Sequence, residues 1–143
     1  LFVTEDALRE KMDFFSPGLS GKPPVILVIC SDMEKALKKG GENSKIYGCM
    51  MDASMAAENL MLAALEYGLG TCAIKSYNDT AIRKILNIPE EYRIEALISI
   101  GYPKGEPRCP ARPKAEDIAF LIHLKGIKPE KTKRREENGQ QRT

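Results

Sequence analysis

Few residues of this chain could do chemistry, and most are badly placed to do it alone. His123 is the only histidine. It lies in a late helical stretch and reads as a surface or packing residue, so Ser-His or Cys-His nucleophilic catalysis has little to build on. Cys30, Cys49, Cys72 and Cys109 include no C-x-x-C pair, and each sits in an apolar or strand-like context. With a single histidine they make a poor zinc set, so they read as reduced, mostly buried thiols of a cytosolic protein. Gly68-Leu69-Gly70 follows a helix rather than a strand, which excludes a dinucleotide fingerprint. G-x-x-x-x-G-K-[ST], G-x-S-x-G and H-E-x-x-H are all missing. Lys104, Arg108, Arg112 and Lys114 gather positive charge in one connection, which on composition alone is a solvated basic loop. No metal ligands and no catalytic side chain are assigned. A chain with neither a triad nor a metal set suggests that a bound cofactor does the chemistry.

The elements that would position such a group can be read along the chain. Leu1-Phe2-Val3 looks like the end of a strand and suggests that a preceding segment is missing. Thr4 is a reasonable N-cap, with Glu5 and Asp6 in the first turn, for a helix to about Asp13. Val25 to Cys30 is an unbroken aliphatic run, the pattern of a strand covered on both faces. A polar stretch with Gly40-Gly41 follows and predicts a short helix and a mobile loop. Thr71 to Ser76 and Ile94 to Ile100 read as two further central strands. Asn78 or Asp79 can cap a helix that Pro89 stops, with Ile82, Ile85 and Leu86 on its apolar face. Four of the nine prolines stiffen Tyr102 to Pro113, and a last helix is expected from about Lys114 to His123.

The central helix, Met50 to Tyr67, is too apolar for a surface. Its few polar side chains fall on two narrow stripes, Asp52, Asn59 and Glu66 on one and Ser54 and Glu58 on the other. Apolar residues fill both arcs between them. A surface helix shows one apolar stripe; this one needs cover on two sides, which a chain of this size rarely provides alone. A sheet on one side and a second subunit on the other would supply it. Gly68 follows as a left-handed helix terminator.

Hydrophobic content of 43% and charged content of 29% are ordinary for a globular protein, and the length fits one domain. No apolar run approaches the roughly 18 residues a membrane helix needs. The formal net charge is +2. Residues 125–143 hold seven basic and three acidic side chains, a local +4 that leaves −2 for the rest. A basic tail can bind nucleic acid, but no aromatic residue is interleaved for stacking, so a solvated end is preferred. The chain therefore divides into a domain at 1–123 and a basic tail at 124–143.

Four segments carry a family resemblance. Asp52 through Glu58-Asn59 to Gly68-Leu69-Gly70-Thr71-Cys72 resembles the core helix and turn of the FMN-dependent nitroreductases. Ile85-Leu86-Asn87-Ile88-Pro89-Glu90, Leu97 to Pro103, and Ala111-Arg112-Pro113-Lys114 are similar to later family segments, in the same order and spacing. The likeness covers about residues 1–122. It implies an α+β fold with a central mixed sheet flanked by helices, built as an intertwined homodimer with FMN at the interface. It further implies a cytoplasmic oxidoreductase that passes electrons from NAD(P)H through the flavin to a nitroaromatic, quinone or similar small electrophile, by a ping-pong mechanism. Ile74, Lys75 and Ser76 are then expected beside the flavin ring, the Ser76 N–H serving as a donor to it. Arg112 matches a family arginine that clamps the phosphate, a role suited to its planar fork. Glu58 and Asn59 match a polar pair read as interface hydrogen bonding. The family's N-terminal Arg-Arg-Ser-x-Arg segment has no counterpart ahead of Leu1, and Lys75 and Ser76 stand where many members have an acidic or small residue and glycine. The alternative is a non-catalytic dimeric flavin-binding or scaffold protein of the same fold.

Overall fold

A computed structural model describes residues 1–105 and 109–119. Strand β2 (Val25–Asp32) pairs antiparallel with β4 (Tyr92–Gly101), and β4 pairs antiparallel with β3 (Gly70–Ile74). The two-residue β1 (Phe2–Val3) lies on the outer side of β2, giving the order β1-β2-β4-β3. Helices α1 (Asp6–Phe14), α2 (Met33–Asn43), α3 (Cys49–Glu66) and α4 (Asp79–Leu86) fill the connections.

Strand alternation sorts the core onto two faces. Ile26, Val28, Leu97 and Ile74 face one side, where Met12 of α1 and Ile82 of α4 close the main cluster. Leu27 and Ile98 are cross-strand partners, both buried, on the opposite face. Helix α3 packs across β2, β3 and β4 on that side, with Ala53 and Ala64 buried. The strand covered on both faces is thus realised in β2.

Local chemistry sets the helix ends. Asn78 caps α4 by accepting the Ala81 N–H at 3.0 Å, and Asn87 ends it in the left-handed region at φ +50. At the end of α3, Gly68 takes φ +67. The N–H groups of Leu69 and Gly68 then bond the carbonyls of Ala64 and Leu65 at 3.0 and 2.9 Å. That paired arrangement satisfies carbonyls a helix end leaves orphaned.

Several expectations need correction. The α+β class holds, but every described strand pairing is antiparallel rather than mixed. The crossover through α2 and α3 does join two strands running the same way, β2 and β3; β4 is inserted between them. Strand β3 is consequently an edge strand among the described residues, not a central one, and it stops at Ile74. Strand β2 runs two residues beyond Cys30, because Asp32 then caps α2 by accepting the Lys35 N–H at 2.8 Å. The stretch expected as a short helix and loop is an eleven-residue helix kinked at Gly41 (φ +69), continuing through a π-helical turn (Ser44–Gly48) into α3. Glu5, not Thr4, stands at the N-cap of α1, and its side chain makes no capping bond. Thr4 instead offers its carbonyl to Arg9 Nε at 3.2 Å. The cysteines are free, but Cys72 and Cys109 are exposed rather than buried. Of the last helix only Ala115–Ile118 (α5) is described, in a separate unit beginning at Pro107. Arg108, His123 and the tail at 124–143 lie outside the described residues.

Candidate functional site

The β2–β4 ladder contains one irregularity, and it shapes a groove. Ile29 lies opposite Ala96 and Cys30 opposite Ile94, so Glu95 is an inserted residue, a β-bulge. Ile94 and Leu97 both belong to the main core cluster, although three residues apart on a regular strand would put them on opposite faces. The bulge restores their common face. It also spares the core a carboxylate. Glu95, 7% exposed, accepts a hydrogen bond from Arg93 Nε at 2.8 Å, with Arg93 Nη2 also 2.8 Å away. Nη2 itself is buried and makes no well-aligned hydrogen bond, so its contribution is ionic. Pairing is what permits a carboxylate to be this buried.

Beside the bulge a groove of about 410 Å³ runs between α3, from Met50 to Met61, and the strand residues Ala73–Lys75 and Glu95–Ala96. Ala53, Ala57, Ala73 and Ala96 keep its walls low, and Glu58 and Lys75 bring charge to it. The Lys75 ammonium donates to the Glu95 main-chain carbonyl. It also lies 5.8 Å from the centroid of the Tyr77 ring, a cation–π distance.

The structure places Ile74 and Lys75 at one end of this groove, while Ser76 is not among the residues that line it. Ile74 borders it, but its side chain, 3% exposed, belongs to the core on the opposite face. Lys75 is exposed and lines the groove. Ser76 follows just beyond the strand, exposed, with its carbonyl accepting the Gly18 N–H at a long 3.5 Å. The Ile74–Leu97 pairing would set Ser76 opposite Glu95 if the ladder continued. Among the described residues no acceptor takes the Ser76 N–H. Arg112 is exposed ahead of α5, in the second unit. Glu58 and Asn59 are exposed on α3.

Sequence reasoning missed Glu95, Arg93 and Tyr77. A lone carboxylate inside Ile94–Ile100 was the available signal, since a charge in a buried strand must find a partner. The Tyr77 hydroxyl donates to the Ile94 carbonyl at 3.1 Å, and its pKa is pushed up to about 12 by burial first, then by the negative charges of Asp79 and Glu95. Burial also pushes the Cys30 thiol up, against weaker pulls from the N-terminal ammonium and Arg83. A raised thiol is a poor nucleophile at neutral pH. No cluster of three or more metal-ligating side chains exists among the described residues, and none of their helices is long and apolar enough to cross a membrane.

Comparison with known proteins places this geometry. Residues 3–102 match the model of the nitroreductase family. The chain is 36% identical over 84 residues to a Bacillus subtilis protein, MhqN, provisionally named an NAD(P)H nitroreductase; the match covers 57% of this chain and 41% of that protein. It is 27% identical over 131 residues to a protein of Thermus thermophilus named NADH dehydrogenase, covering 73% of this chain and 63% of the other. The chain thus spans less than two thirds of the length of these curated relatives. Among solved structures, an FMN-dependent nitroreductase of Clostridium difficile superposes with a TM-score of 0.67 at 25% identity, over 86% of this chain and 74% of that one. A nitroreductase-like protein of Streptococcus mutans reaches 0.74 at 15% identity, over 86% and 76%, a likeness of fold. With the family model running from β1 through to the residue after β4, the chain belongs to the nitroreductase family.

Proposed function

We propose that this chain is an FMN-dependent oxidoreductase working as a homodimer, with the α3–β3–β4 groove as its flavin site. The observation that carries the proposal is the end of β3. There a cationic side chain, Lys75, lines a low-walled slot, and an unengaged main-chain donor, the Ser76 N–H, follows it directly in the chain. These residues fit a flat, polar-edged ring: alanines leave room for its faces, and the donors can meet its carbonyl edge. Arg112 is proposed to hold the phosphate through its planar fork. When bound, FMN would supply the redox chemistry, accepting electrons from NAD(P)H and yielding them to a nitroaromatic, quinone or similar electrophile in ping-pong fashion.

The chain's own residues orient and exclude. Ile74 anchors the end of β3 in the core, so that Lys75 and Ser76 are held at a fixed height beside the groove. Gly18 packs against Ser76 so closely that a Cβ there would stand 2.3 Å from its Oγ, which limits how far Ser76 can move. Met50, Met51, Met55, Leu62 and Leu65 of α3 are each at least half exposed. A second copy laid over them would complete the slot and shed water from it. Residues 1–123 are proposed as the catalytic domain and 124–143 as a solvated basic tail, in a cytoplasmic protein.

An absorbance spectrum tests the proposal directly. The purified protein, or protein incubated with FMN, is expected to be yellow, to release flavin on denaturation, and to oxidise NAD(P)H when an acceptor is present. A colourless protein that takes up no FMN rejects it. The second reading is a flavin-binding scaffold without turnover. Stoichiometric flavin that NAD(P)H does not reduce selects that one.

A further inference from the structure

We propose that Lys75 tunes the redox balance of the flavin in this groove, and that the Glu95 bulge is what positions it to do so. The inference rests on the function proposed above and concerns this chain's own residues. Ala73 and Lys75 line the groove on the α3 face of the sheet, while Ile74 between them turns to the core. The first residue past the strand is therefore a lysine that lines the slot.

Its ammonium is held there from behind. The β3–β4 ladder stops at Ile74–Leu97, and two residues further along β4 the Glu95 carbonyl accepts from the Lys75 ammonium. The Tyr77 ring lies on another side of the ammonium, 5.8 Å away at its centroid. An ammonium has three donors. Among the described residues Lys75 spends one on a protein acceptor. Its charge is also uncompensated by the nearest buried carboxylate, because Glu95 is paired with Arg93 and no described salt bridge includes Lys75. Glu58, across the groove on α3, and the Arg93-paired Glu95 are the other charged residues that line it.

The consequence follows from charge balance. Transfer of a hydride from NAD(P)H adds two electrons and one proton to a neutral ring, which gains one negative charge. A cation fixed beside the ring, in a slot partly closed to water, favours that state over the oxidised one. Lys75 should thus bind the reduced cofactor more tightly than the oxidised, and raise the midpoint potential.

The test compares the reconstituted wild type with Lys75→Met and Lys75→Arg by spectroelectrochemical titration of bound FMN. Lys75→Gln stands in should the Met variant fail to fold. Lys75→Met is expected to weaken the preference for the reduced form about tenfold, which is ~30 mV lower for a two-electron couple. Lys75→Arg, which keeps the charge, should stay within about threefold of wild type, and thermal stability should be nearly the same in all, since Lys75 is exposed. A wild-type potential in Lys75→Met, or an equal fall in Lys75→Arg, overturns the inference while leaving the flavin site standing. A wild-type protein that binds no FMN overturns both.

Discussion

Above pH 10 the Tyr77 hydroxyl becomes a source of instability. In the unfolded chain it ionises near its ordinary value, while in the folded protein burial and the charges of Asp79 and Glu95 hold it neutral until about 12. Between those values the folded state binds more protons, so stability falls as pH rises, and the contribution is fully present only below about pH 10. The effect should amount to ~1–2 kcal/mol after allowance for partial solvent screening. Tyr77→Phe should flatten that window in pH-dependent urea melts, at the expense of ~1 kcal/mol at neutral pH for the lost bond to the Ile94 carbonyl. An unchanged alkaline slope in the variant would refute the assignment. At this scale the sequence was partly legible. Family likeness singled out Lys75 and Ser76; Lys75 lines the groove, and Ser76 follows it in the chain. Glu95 and Tyr77 stayed hidden because a bulge is a property of two strands in register, and one strand read alone cannot reveal it.

Helix termini and loops decide how well that groove is fixed. Gly68 closes α3 at φ +67 with nothing within 4 Å of a would-be Cβ, so Gly68→Ala meets no clash and pays only the conformational penalty. A loss of ~1 kcal/mol of unfolding free energy, read as a lower denaturant midpoint, is expected, with flavin affinity unchanged. Gly18 differs. A Cβ there would stand 2.3 Å from Ser76 Oγ and 2.9 Å from Ile74 Cγ2. Gly18→Ala must displace the Ser76 hydroxyl and the Ile74 methyl, and should weaken FMN binding about tenfold, ~1.4 kcal/mol. Gly21→Ala is the control: its φ is +81 but it has no close neighbours, so it should cost stability alone. Equal FMN affinity in the two alanine variants, by flavin fluorescence, would count against the Ser76 assignment. Elements with strong local signals were readable in advance: the aliphatic β2, the Gly68 terminator, the Asn78 cap. Strand order was not, because the edge position of β3 depends on β4, which follows it in sequence.

For the molecule as a whole, the decisive feature is the side of α3 turned away from the sheet. The sequence predicted cover on two sides, and the described residues supply one: Ala53 and Ala64 are buried, while Met51, Met55, Leu62 and Leu65 are 55–63% exposed. At 100° per residue those four fall within an arc of about 80°, a continuous apolar stripe. Such a stripe on a lone chain is an unsatisfied interface. On the proposed function, a second copy would cover the stripe and narrow the groove lined by Met50 and Met61, which would tie association to flavin binding. If so, charge placed on the stripe should break both together. Leu62→Glu with Leu65→Glu removes two leucines worth ~1.5–3 kcal/mol each when buried, so the dimer dissociation constant should rise by about a hundredfold or more. Sedimentation is expected to show a dimer for wild type and a folded monomer for the double variant, with FMN lost in step. A wild-type monomer that still binds FMN at full stoichiometry would show that one chain builds the site unaided. A double variant that stays dimeric would move the interface off α3.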